Sequence, residues 1–308
     1  MTLFYYDPVF AEHKTGDHPE CPERVVFTAQ RLAKSGLLGM LAQPEWESIT
    51  PARLAYTHPV HYLAELQRIT EAGGGYLDPD TPCSCRSYEV ARRAAGAAAD
   101  AVARVLAGED RRAFCLLRPP GHHALADRAM GFCLVGNVAV AANVALAEFG
   151  LSRVLVVDWD VHHGNGTQDI FWENERVGFL SIHRWPFYPG TGRSDETGGG
   201  AALGTKVNLP TEFGTARRAI VDRFRGALER LAEKMRPELV LVSAGFDAHR
   251  EDPIGSLGLE TEDFAPLTQA VREVADLHAG GRLVSVLEGG YNLRALADCV
   301  ALHVEGLL

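Results

Sequence analysis

The densest chemistry in the chain lies in Asp158-Trp-Asp-Val-His-His163. Asp158, Asp160 and His162 alternate, and alternate residues of an extended segment project to one side. Carboxylates with an imidazole form a ligand set for a divalent ion. Two carboxylates and one histidine leave a coordination position open, as a catalytic metal requires. Asp247 closes a separate apolar run, Leu239–Ser243, and a carboxylate there calls for a cation or a cap. Asp158, Asp160, His162 and Asp247 are therefore the candidate metal ligands. Asp158 could instead stand behind a histidine, fixing its tautomer and raising its basicity.

Proton-transfer groups lie elsewhere in the chain. His122 and His123 follow Pro-Pro-Gly and suit general acid–base work near neutral pH. Tyr291 follows Gly289-Gly290 and offers a hydroxyl to a developing oxyanion. Taken singly, each of these residues reads as core or rim; together they point to a metal crevice with proton-transfer groups around it.

Positioning these groups requires elements that end in them. Continuous apolar runs at Leu3–Tyr6, Phe114–Leu117, Val154–Val157, Gly178–Ile182, Thr205–Leu209, Leu239–Ser243 and Leu283–Leu287 predict strands buried on both faces. Helices are expected at Pro22–Ser35, Tyr88–Leu106, Asn137–Glu148, Ala216–Met235, Asp263–His278 and Leu293–Gly306. Gly150 and Gly280 sit where helix C-caps belong. The alternation predicts an α/β fold, a mostly parallel sheet with helices on both faces. Four of the runs lead into polar clusters, and ligand crevices in such sheets lie at the carboxyl ends of strands. Glu71–Arg86 and Arg184–Gly204 read as long loops of the kind that often carry function.

Composition bounds the rest. The 308 residues carry a net charge of −10, which argues against general nucleic-acid binding. No apolar run is long enough for a membrane span, and the first residues read as a strand rather than a signal peptide. The 6 cysteines form no CxxC pair, so reduced thiols and a cytoplasmic setting are expected. Nothing in the pattern marks an oligomeric interface.

RPPGHHA at 118–124, GFC at 131–133, DWDVHHGNGT at 158–167, SAGFD at 243–247 and LEGGYN at 287–292 resemble the histone deacetylase family, in its class II-like style and among its bacterial amidohydrolase members. HPECPER at 18–24 extends the resemblance over nearly the whole chain. The resemblance implies one catalytic domain over 1–308 with the arginase/deacetylase-like fold and an eight-stranded sheet. It implies zinc, with ferrous iron as the alternative, on Asp160, His162 and Asp247. His122 and His123 become the acid/base pair, Asp158 supports His122, and Tyr291 stabilises the oxyanion. Phe132 and Tyr188 flank a narrow tunnel, Gly131 lies in its wall, and Asp80 is the rim aspartate that grips substrate backbone. Structural potassium is also implied, near Asp158, Asp160, His162, Ser181 and Ile182. Class I members carry Asp where this chain has Asn165, so His123 is expected to be less basic here.

The implied substrate is N-acetyl-lysine in a protein or peptide. An acetylpolyamine or another small acyl-amine is the alternative. Polyamine-selective relatives carry a glutamate after Asp-Pro, where this chain has Ile254, but Glu251, Glu260 and Glu262 lie nearby. Two other readings remain open: a two-manganese ureohydrolase, and a pseudoenzyme that binds acyl-lysine without turnover.

Overall fold

The computed structural model describes residues 2–308. Its main sheet has eight strands: β1 (Thr2–Tyr5), β2 (Leu41–Ala42), β5 (Arg112–Cys115), β6 (Val154–Asp158), β7 (Val177–Arg184), β8 (Lys206–Thr211), β9 (Leu239–Ala244) and β10 (Leu283–Leu287). They lie in the order β2-β1-β5-β10-β9-β6-β7-β8, and every neighbouring pair is parallel. The central strands are buried along their whole length, which is why their sequences are continuously apolar rather than alternating.

The helices are α1 (Glu23–Lys34), α2 (Pro51–Leu54), α3 (Val60–Glu71), α4 (Ser87–Ala107), α5 (Asn137–Glu148), α6 (Asn165–Ile170), α7 (Arg217–Met235), α8 (Phe264–His278) and α9 (Leu293–Leu307). They flank the sheet. α4 packs on α5, while α1, α9, α8 and α7 pack in succession. Gly150 and Gly280 take φ of +66° and +61° just past α5 and α8, the left-handed geometry of helix C-termini. No helix among the described residues is long and apolar enough to cross a membrane.

Three features depart from the sequence reading. Strand β2, which completes the parallel eight-stranded sheet, is a two-residue edge too short to show as an apolar run. The stretch Glu71–Arg86 is not simply a loop: β3 (Gly74–Tyr76) and β4 (Pro82–Ser84) form an antiparallel hairpin whose tip carries Asp80. α2, α3 and α6 are additional helices.

The sheet gives the molecule a polarity. All strands end on the same side, and the four that lead into polar clusters, β5, β10, β9 and β6, are consecutive neighbours. At the opposite edge the Thr2 hydroxyl donates to the Leu307 carbonyl at 2.9 Å, tying the start of β1 to the end of α9.

Candidate active site

The carboxyl ends of β6 and β9 bring Asp160, His162 and Asp247 together, one donor atom from each lying within 4.8 Å of the others. All three are buried. His162 Nδ1 stands 3.0 Å from Asp160 Oδ1 and 3.1 Å from Asp247 Oδ2. Donors about 2.0–2.1 Å from a shared tetrahedral ion stand about 3.3 Å apart, so the spacing fits one divalent cation. The electrostatics fit as well: burial, then the Asp160 carboxylate, pushes Asp247 up to about 7. A cation between the two carboxylates would relieve that repulsion.

Main-chain amides hold this group. Gly289 N donates to Asp160 Oδ2 at 2.8 Å, Val161 N to Asp247 Oδ1 at 2.9 Å, and His162 N to Asp160 Oδ1 at 2.9 Å. A Cβ at residue 289 would overlap both aspartates, so only glycine allows the β10 turn to come this close.

Both histidines after β5 reach the same place, with ring centres 4.0 Å apart. His122 Nδ1 is 3.0 Å from Asp158 Oδ2. His123 Nδ1 is 2.7 Å from Asn165 Oδ1. Their environments push them apart. Burial opposes the charged form of His122, but Asp160 and Asp158 outweigh it and hold its pKa well above the usual value. Burial, reinforced by His122 and His162, holds His123 well below it.

A cavity of about 220 Å³ opens over the group. His123, His162 and Tyr291 line it, as do all the expected rim residues: Asp80, Gly131, Phe132, Tyr188 and Ile254. Gly131, at φ +56°, lies against His123, where a Cβ would come within 2.5 Å of the ring. Tyr188 meets the His123 ring edge-on at 5.2 Å, and Phe132 meets Tyr291 at 5.7 Å. A larger groove of about 570 Å³ lies between α7 and α8, lined by side chains of those helices rather than by this cluster.

Several residues escaped the sequence reading. Phe187 also lines the cavity, stacked on His162 at 5.2 Å and covered by the Arg184 guanidinium at 4.3 Å. The buried Glu288 accepts from the amides of Gly121 at 2.6 Å and His122 at 3.1 Å, and from the Ser243 hydroxyl at 3.1 Å. Burial drives its carboxyl up to about 7 against the pull of His122. Arg24 lies over the Tyr291 ring at 4.9 Å and donates to the carbonyls of Gly290, at 2.6 Å, and Glu288. Its guanidinium and that of Arg118 share the buried Glu20 carboxylate. The LEGGYN, HPECPER and RPPGHHA strings contained Glu288, Glu20, Arg24 and Arg118 without separating their roles, and no string contained Phe187.

Known proteins with this arrangement decide the family. The histone deacetylase domain profile matches residues 18–307. The chain belongs to the histone deacetylase family. It is 41% identical to a histone deacetylase-like amidohydrolase of Pseudomonas aeruginosa, covering 99% of this chain and 86% of that one. It is 38% identical to the human polyamine deacetylase HDAC10, over 99% of this chain but 48% of that one. The crystal structure of the HDA15 HD domain superposes with a TM-score of 0.94 at 37% identity, covering 99% of this chain and 87% of that one. The deacetylase fold and a hydrolytic deacetylase activity follow for this chain.

Proposed function

We propose that this deacetylase hydrolyses the amide of N-acetyl-lysine in peptides or proteins, using a zinc ion held by Asp160, His162 and Asp247. The observation that carries the reading is the cavity: His162 of the buried Asp-His-Asp group lines it beside His123 and Tyr291, and the apolar Ile254 lies in its wall. Such a cavity suits a slim alkyl chain entering acyl-first. It offers no charge at residue 254 for a distal ammonium.

A divalent ion bound there supplies Lewis-acid polarisation of the acyl carbonyl and a water of lowered pKa. Ferrous iron suits the same ligands. The chain's own residues handle the protons. Nδ1–H of His123 donates to Asn165, which leaves Nε2 as a free acceptor on an imidazole held neutral. His123 takes the proton of the attacking water. His122, kept protonated with Asp158 behind it, donates to the leaving amine. Two histidines with pKa values driven apart give one base and one acid. Tyr291 donates its hydroxyl to the oxyanion. Asp80, at the hairpin tip, grips the substrate backbone; Phe132, Tyr188 and Phe187 enclose the alkyl chain.

A structural potassium ion near Asp158 and Ser181 belongs to the same proposal. Ser181 stands opposite Asp158 in the β6–β7 pairing. An acetylpolyamine is the second reading, favoured by the paired carboxyl groups of Asp78 and Asp80 at the rim. Steady-state kinetics on an acetyl-lysine peptide and on N8-acetylspermidine distinguish the two. A higher kcat/KM on the peptide is expected; a preference for the polyamine would overturn the lysine reading.

A further inference from the structure

The loop after Asp247 and the turn after β10 share a single buried acceptor, the carboxylate of Asp252. Its Oδ1 accepts from the amides of Ile254 and Gly255, both at 2.9 Å. Its Oδ2 accepts from the amides of Tyr291 at 2.6 Å and Asn292 at 3.3 Å. It makes no ion pair among the described residues, so main-chain donors alone surround it. Asn292 adds a second tie, its side-chain amide donating to the Glu251 carbonyl at 3.1 Å. Arg184 holds the same loop from its other side, donating to the Gly255 carbonyl at 3.0 Å.

This geometry joins two segments with different tasks. One presents Ile254 to the cavity and the other presents Tyr291. Gly290, at φ +122°, precedes Tyr291, so the turn has little stiffness of its own. Its direction is set by what its amides meet. A carboxylate is the only side-chain type of this size that can accept four amides at once, since an amide side chain has one oxygen and turns its NH₂ toward the other pair.

We propose that Asp252 is a positioning residue that holds Tyr291 and Ile254 in fixed relation through one carboxylate, so that the oxyanion donor and the rim move as a unit. This rests on the reading of Tyr291 as the oxyanion donor. Arg24 holds the carbonyls of Glu288 and Gly290, and Asp252 alone accepts the amides that follow; without its carboxylate the turn loosens at Tyr291 and the hydroxyl drifts from the place where charge develops.

Two measurements test the proposal. In the wild-type protein, hydrogen exchange across a denaturant series should give the amides of Ile254, Gly255, Tyr291 and Asn292 one common opening behaviour, because they share an acceptor. Independent opening of the 254–255 and 291–292 pairs would overturn the coupling, and this experiment needs no variant to fold. In Asp252→Asn, exchange in both segments should rise together while β9 and β10 stay protected. With the acetyl-lysine peptide, kcat should fall about tenfold or more and KM should change less, as expected for a lost transition-state contact. The decisive comparison is Asp252→Asn in a Tyr291→Phe background, where the further loss should be under about twofold because the two act through one hydroxyl. An equal loss in both backgrounds would mean that Asp252 supports only the fold. Absence of wild-type turnover would overturn the deacetylase reading, while the exchange experiment would still decide the coupling.

Discussion

His123 Nδ1 lies 2.7 Å from the side-chain oxygen of Asn165, a neutral partner for one histidine of a pair whose other member faces Asp158. Burial disfavours the charged form of both rings, and only His122 has carboxylates close enough to outweigh it, so their pKa values diverge. Asn165→Asp would place a carboxylate behind His123 and raise its pKa. A base must be neutral to act, so the acidic limb of the pH profile of kcat/KM should move to higher pH, by about one unit for a partly compensated carboxylate. An unmoved limb would show that His123 is not the base.

Tyr291→Phe removes the proposed oxyanion donor while keeping the ring against Phe132 and Arg24. The expected loss in kcat is about a hundredfold, with little change in KM. Turnover within a few-fold of wild type would remove Tyr291 from the mechanism.

Removing the metal should lower both activity and stability. An ion that binds only the folded state stabilises it by about 2.7 kcal/mol at a hundred times its Kd. Chelation should therefore depress Tm, and zinc should restore both Tm and turnover. In Asp247→Asn the added zinc should raise Tm much less. A Tm indifferent to chelator in the wild type would argue against a metal at Asp160, His162 and Asp247.

Glu20 carries a pH signature of its own. Burial works against its charge, but the Arg118 guanidinium, bonded to both carboxylate oxygens, more than compensates and lowers its pKa to about 2. A folded pKa below the unfolded value contributes stability that is present above the unfolded pKa, near 4.3, and is lost as pH falls through the folded one. Wild-type Tm should therefore decline between about pH 4.5 and pH 2 more steeply than that of Glu20→Gln. The variant itself should be less stable at pH 7 by about 3–5 kcal/mol, since two buried guanidinium groups lose their shared anion. Parallel Tm profiles would contradict the assignment.

Ile254→Glu tests the rim. A carboxylate at the cavity mouth should improve kcat/KM for N8-acetylspermidine relative to the peptide by roughly tenfold, the scale of a close charge pair. No change in the ratio would locate substrate choice elsewhere.

Much of this arrangement was legible in the sequence, and the reasons differ by element. β6, β9 and β10 announce themselves because strands buried on both faces must be apolar throughout. Asp160, His162 and Asp247 stand out because charged side chains at the ends of such runs need a partner. β2 has only two residues, too few for any pattern. The roles of Phe187, Glu288 and Asp252 were hidden for another reason. Phe187 matters through a ring stacked on His162, Glu288 accepts from the distant amides of Gly121 and His122, and Asp252 joins its own loop to the distant amides of Tyr291 and Asn292. Contacts of that kind leave no spacing in a linear sequence.

The tie between Thr2 and Leu307 bears on how the enzyme can be handled. Both ends of the described chain meet at the edge of the sheet where strands begin, and the cavity opens where they finish. An anchor, tag or fused partner attached at either end would sit behind the catalyst, leaving the entrance turned toward the bulk. Immobilised on a bead through that edge, the protein should admit peptides as freely as it does in solution.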